Sequence, residues 1–287
     1  MLKAFSIDKV HMTADNQKTG VIELTVGGQR IALEMQISPE PVKPQRVLPI
    51  FQQMTDEFVR VGTEAAEADG KKIACTMGCG ACCRQPVPIS ELEVYKLAEL
   101  VEALPEPRRT EIKGRFAAAR AHFEDLGWFE RLAELSRRHN AQNTDEVAVE
   151  LQEFVEEYFH EWISCPFLEN EACSIYSMRP LVCREYLVTS PAENCLRQDN
   201  KPIIAVDLPM KPSKNVQFIF RSGRMNKFGL IPLIRALELA EEMPEEFEKR
   251  KGEEWLGEFF DKLEEIYSGN PSAAPIGTSG SEAASNV

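Results

Sequence analysis

Apolar and polar positions alternate near the start of the chain and then change period. Val21-Ile-Glu-Leu-Thr-Val26 and Arg30-Ile-Ala-Leu-Glu-Met35 flank Gly27-Gly28. A two-residue glycine turn between alternating segments predicts a β-hairpin, inside a β region over residues 1–37. Residues 38–49 carry four prolines and predict a linker. Helical spacing takes over with Ile50, Met54, Phe58 and Val61 on one face, ending near Gly70. Ser90 and Glu93 stand as a capping box before a helix whose apolar face is Val94, Leu97, Val101 and Leu104, with Pro105 as its stop. Residues 107–138 predict a long charged helical stretch broken at Gly127. From 144 to 162, Val147, Leu151, Phe154, Tyr158 and Trp162 align on one helical face. Residues 203–207 and 216–220 predict short strands, and 229–243 and 244–267 acidic amphipathic helices. The tail, 269–287, is small and polar and predicts disorder.

The fold class expected from this pattern is α+β, mainly α-helical. It has a small N-terminal β-hairpin module and linker over 1–46, a helical domain over 47–268, and an irregular cysteine-rich metal-binding core over 75–195. Of 287 residues, 33 are basic and 46 acidic, for a net charge of −13. That balance argues against general nucleic-acid binding, which needs a basic footprint, and against attachment to anionic membranes. No apolar run reaches the ~20 residues of a membrane span. The first residues lack an apolar signal region, so a reducing cytoplasm is the expected compartment, where cysteines more often bind metal or react than form disulfides.

The cysteines change the picture most. All eight lie between residues 75 and 195: Cys75, Cys79, Cys82, Cys83, Cys165, Cys173, Cys183 and Cys195. Such clustering points to thiolate ligation of a soft metal rather than to core packing. The first group, Cys75-x3-Cys79-x2-Cys82-Cys83, sits among glycines and prolines, which predicts an irregular loop. A loop rarely supplies every ligand of a closed site, so the two groups are expected to meet. Adjacent Cys82 and Cys83 pose a geometric problem, because neighbouring side chains diverge on helix and strand alike. Two mononuclear sites, one site with spare cysteines, or a polynuclear centre all suit eight thiols.

Cys75-TMG-Cys79-GA-Cys82-Cys83-Arg84, Cys165-Pro-Phe-Leu, Cys173-Ser-Ile-Tyr176, Arg179-Pro180 and Cys183-Arg184 resemble the CxxCxxCC (YkgJ-like) cysteine-cluster family, described as zinc- or iron-chelating. Cys195 fits the family's last cysteine by position, and Ser90 and Glu93 the polar pair opening its next helix. The resemblance covers about 120 residues. It implies zinc or iron as cofactor, with an iron–sulfur cluster as one form, all eight cysteines as ligands, and Tyr176, Arg179 and Arg184 in support. One branch is linked to flagellin lysine N-methylation, which implies a protein lysine N-methylase-type enzyme as an alternative. No G-x-G-x-x-G fingerprint accompanies it. A metal-stapled interaction module with a protein partner is the remaining alternative.

Two further features lie outside the cysteine groups. His160, five residues before Cys165, is a candidate extra ligand whose commoner role is an ordinary helix-face histidine. Residues 208–237 hold Lys211, Lys214, Arg221, Arg224, Lys227 and Arg235. This basic run is expected chiefly to balance the acidic helices after it, with an anionic partner as the other reading.

Overall fold

The computed structural model describes residues 7–12, 18–26, 29–142, 144–196, 201–225 and 230–269. It is mainly helical with small antiparallel sheets, as the pattern predicts. The strands β1 (Ile7–Met12), β2 (Lys18–Val26) and β3 (Gln29–Ile37) form a meander in the order β1-β2-β3. Val26 pairs with Gln29, which is the register of a two-residue turn, although Gly27-Gly28 themselves lie outside the described residues. Alternation buries Ile22, Leu24, Ile31, Leu33, Met35 and Ile37 on one face. That face packs on α1 (Leu48–Ala68) and α9 (Gly252–Gly269), so one hydrophobic core holds strands and helices together. Inside it the Phe51 and Phe259 rings lie 4.5 Å apart, tilted by 46°.

The linker expectation holds only in part. Residues 44–47 form a 3-10 turn that leads directly into α1, and Val42 makes a bridge with Arg250. The capping box is present: in α2 (Glu91–Glu102) Ser90 Oγ accepts from the Glu93 N–H, and Glu93 accepts from the Ser90 N–H at 2.8 Å. The charged stretch divides, as expected, into α3 (Arg108–Asp125) and α4 (Trp128–Gln142), with Gly127 at φ 62° between them. Thr144 caps α5 (Asp145–His160). Trp162 does not continue its apolar face: the helix ends two residues earlier, and Trp162 sits at φ 55° and is 42% exposed.

Other expectations are corrected. Residues 216–220 are not a strand. Pro212 starts α7 (Pro212–Ile219), and Val216 and Ile219, three apart, are buried while Phe218 between them is half exposed. A helix period was hidden in a run of β-forming residues. Over 203–207 only an extended segment forms, bridged at Ala205 to Val188. The helix expected over 229–243 is confined to α8 (Ala236–Glu242), because Ile231–Pro232 pairs with Pro88–Ile89 instead. The helix expected from 244 begins at Gly252, since residue 250 is engaged in the bridge to Val42. Of the tail, residues 270–287 lie outside the described residues.

A second core forms around α2, α3 and α8 with Phe116 and Phe167, and an aromatic third core joins the end of α3 to α4 and α5. Between the first and second cores lies α6 (Leu181–Glu185), only five residues long. Leu181 enters the first core, and Val182 and Cys183 pack on the second.

Candidate metal centre

Each cysteine group is presented by short irregular backbone. Cys75 follows α1, beside a pairing in which the Ala74 N–H donates to Val188 O at 2.9 Å and the Val188 N–H reaches Cys75 Sγ at 3.4 Å. Gly78, at φ 88°, makes the turn to Cys79. Cys82 and Cys83 lie on a 3-10 turn, Ala81–Arg84. Cys173 stands on a two-residue strand, Ala172–Cys173, paired with Leu168–Glu169 through a tight turn at Asn170 (φ 49°) and Glu171 (φ 60°). Cys183 is on α6, and Cys195 is buried on a 3-10 turn, Ala192–Leu196.

The two groups meet. The Cys165 N–H donates to Cys83 O at 2.7 Å, which joins the backbone after α5 to the first loop. Gly80 is where the loops touch, since a Cβ there would stand 2.7 Å from Glu171 O and 2.8 Å from Leu168 Cδ1. Arg84 completes the joint with two hydrogen bonds to the Glu171 carboxylate, at 3.0 and 2.6 Å, and lies 4.9 Å from the Trp162 ring. The result is a single cavity of about 170 Å3 lined by all eight cysteines. Cys82 and Cys83 are adjacent on the 3-10 turn. Both line the cavity, and they hydrogen-bond one another, which pulls Cys82 down to about 7 and pushes Cys83 up.

Burial raises four further thiols. It pushes Cys165 up to about 12, Cys183 well above its ordinary value, and Cys75 and Cys173 in the same direction. The opposing charge is Arg179, which favours the thiolates of Cys75, Cys82 and Cys173. Its guanidinium lies 4.1 Å from the Tyr176 ring, and its buried Nε has no hydrogen-bond partner. Both residues line the cavity, and so does Arg184. Arg184 is nonetheless committed to structure: it binds both oxygens of Asp56 on α1 at 2.9 Å and the carbonyl oxygens of Arg179 and Ser177. His160 is exposed and lies off the cavity wall.

The donor set suits a thiophilic cation in kind and number: partly buried cysteines, a cationic neighbour and no competing carboxylate on the wall. Among the described residues, no three His, Cys, Asp or Glu side chains converge closely enough to form a coordination shell. The thiols share a wall without closing on a point. Sequence reasoning missed the Arg84–Glu171 joint, the Asn170-Glu171 turn and the Glu93 link to α6. Only Asn170, a residue tolerant of positive φ, carried a signal of that turn.

Of the basic run, Arg224 and Arg235 pair with acidic residues that follow it, Glu246 at 2.9 Å and Glu238 at 2.6 Å, while Lys227 lies outside the described residues. Among the described residues no helix is long and apolar enough to cross a membrane. No curated protein and no solved structure matches the chain at a significant level. The family resemblance holds for the second cysteine group: residues 129–202, which carry Cys165, Cys173, Cys183 and Cys195, match the model of the CxxCxxCC family, described as "Putative zinc- or iron-chelating domain".

Proposed function

We propose that the eight-cysteine cavity chelates zinc or iron in one centre built from both cysteine groups. The observation that carries this reading is the convergence of two groups, more than 80 residues apart in sequence, on one wall. A tetrahedral ion takes four ligands. Eight thiols in one cavity therefore suit more than one ion, as a zinc–thiolate pair or an iron–sulfur cluster. Cys75, Cys79, Cys82, Cys83, Cys165, Cys173, Cys183 and Cys195 are the ligand set, closed by rotation of the cysteine side chains about their single χ1 angles. Arg179 offsets the thiolate charge, and Tyr176 holds its guanidinium. Thiols lose protons to bind a cation, so uptake strengthens as pH rises.

Anaerobic purification followed by metal and acid-labile sulfide analysis tests this. The expected result is stoichiometric zinc or iron, reduced by a serine at Cys79 and equally by a serine at Cys183. Acid-labile sulfide with absorption near 400 nm identifies an iron–sulfur centre, and colourless stoichiometric zinc a zinc–thiolate one. Folded protein that takes up neither metal, as isolated or after anaerobic reconstitution, would sink the reading. Metal loss in only one of the two variants would sink the shared centre.

A further inference from the structure

In the basic run of residues 208–237, Arg221 has no acidic partner. Among the described residues, every arginine except Arg179 and Arg221 forms an ion pair with a carboxylate. Arg179 lines the cysteine cavity and favours the thiolates there. Arg221 lines a different cavity, of about 440 Å3, which shares no wall residue with the cysteine cavity. Its volume lies in the range of small-molecule sites, about 300–1,000 Å3.

The chain leaving α7 supplies Arg221 and Arg224 to this cavity, the segment before α9 supplies Phe247 and Arg250, and α9 itself supplies Glu258 and Lys262. The other cations on the wall are matched: Arg224 pairs with Glu246, and Arg250 and Lys262 pair with Glu258. Arg221 is held without being neutralised. Its Nε–H donates to Gln217 O at 2.6 Å, and its guanidinium lies 5.2 Å from the Phe218 ring. Both Nη groups are left without a partner, and the residue is exposed rather than sealed in a core, so a ligand can reach it. Two free Nη groups on one planar fork match the two oxygens of a carboxylate. Phe247, partly buried, adds apolar surface to the same wall. Glu246, Glu248 and Glu258 on that wall oppose a multiply charged anion.

We propose that this cavity binds a small organic monocarboxylate, whose charged end the Arg221 guanidinium takes and whose apolar body meets Phe247. The site is separate from the proposed metal centre, and its test does not depend on metal content.

The full chain is titrated into 4-fluorobenzoate and, separately, into 4-fluorobenzamide, which has nearly the same shape and no charge, with binding read from the 19F resonance of each probe. The benzoate is expected to bind, and the benzamide to bind about tenfold more weakly, the worth of one hydrogen bond to a charged group. R221Q is expected to weaken the benzoate about tenfold while the circular dichroism melt stays that of the parent. R221K, which keeps the charge without the fork, is expected to fall between the two. R30Q, which removes a paired arginine from the exposed side of β3, is expected to change nothing. Inorganic phosphate is expected to displace the probe less effectively than unlabelled benzoate. No binding of 4-fluorobenzoate at millimolar concentration, equal binding of the two probes, binding that survives R221Q, or a loss of the same size in R30Q would each overturn the proposal. Displacement by phosphate as effective as by benzoate would overturn the carboxylate as its ligand.

Discussion

Gly80 decides how closely the two cysteine loops approach. With no Cβ it lets Glu171 O and Leu168 Cδ1 come within a distance that a methyl group would forbid. G80A is expected to cost about 1–3 kcal/mol in denaturant unfolding, the usual range for overpacking, and to lower metal retention with it. G114A is the matching control. Gly114 lies inside α3 with open space around its Cα, so alanine there is expected to raise stability by about 0.5–1 kcal/mol. Equal effects at the two positions would contradict the loop packing. The cysteines were legible at this scale, because their number, clustering and spacing are facts of sequence. The partnership of Arg84 with Glu171 was not, since nothing along the chain says that residues 87 apart in sequence share a carboxylate.

At the scale of elements, Glu93 ties two helices together. Its Oε2 accepts from the Ser90 N–H and hydroxyl at 2.8 Å, and its Oε1 accepts from the Leu181 N–H, at the start of α6, at 2.7 Å. Burial pushes its carboxyl pKa up against those hydrogen bonds. S90A removes a cap and is expected to cost about 1 kcal/mol. E93A leaves the Ser90 and Leu181 N–H groups unanswered in the core and is expected to cost about 3 kcal/mol. Because α6 carries Cys183, E93A should also weaken metal retention, and S90A should leave it nearly unchanged. Denaturation and metal analysis on both variants check the ranking, and a costlier S90A would refute it. The capping box was visible in the sequence as Ser and Glu three apart. The second task of the same carboxylate was not, because α6 is too short to show a period of its own.

At the scale of the molecule, the cysteine cavity is walled in part by the second hydrophobic core, and α6 reaches from that core into the first. The core of β2, β3, α1 and α9 draws nothing from the cysteines. The second core has Cys165, Cys173 and Cys183 packed on its edge. A thiolate site contributes about 10–16 kcal/mol in small metal-folded domains, against about 5–15 kcal/mol for the net stability of a whole domain. Removal of metal from the loaded protein is therefore expected to loosen one part and spare the other. Amide exchange should speed up over residues 75–84 and 165–195 after chelation, and the amides of β2, β3 and α9 should keep their protection. Uniform loss of protection across all of these elements would show that the two cores do not respond separately.

What the sequence by itself determined is what repeats locally or is carried by residue type: the pairing of strands 18–26 and 29–37, the cap of α2, the break at Gly127 and the confinement of the cysteines to 75–195. Local periodicity encodes these because hydrogen bonding and burial follow the backbone period over a few residues. Tertiary structure alone decided that residues 216–219 turn as a helix, that 231–232 pair with 88–89, and that both cysteine groups face one cavity. Those outcomes rest on contacts between distant segments. A two-residue strand or a five-residue helix is too short to stand on its own propensity and takes its conformation from what packs against it.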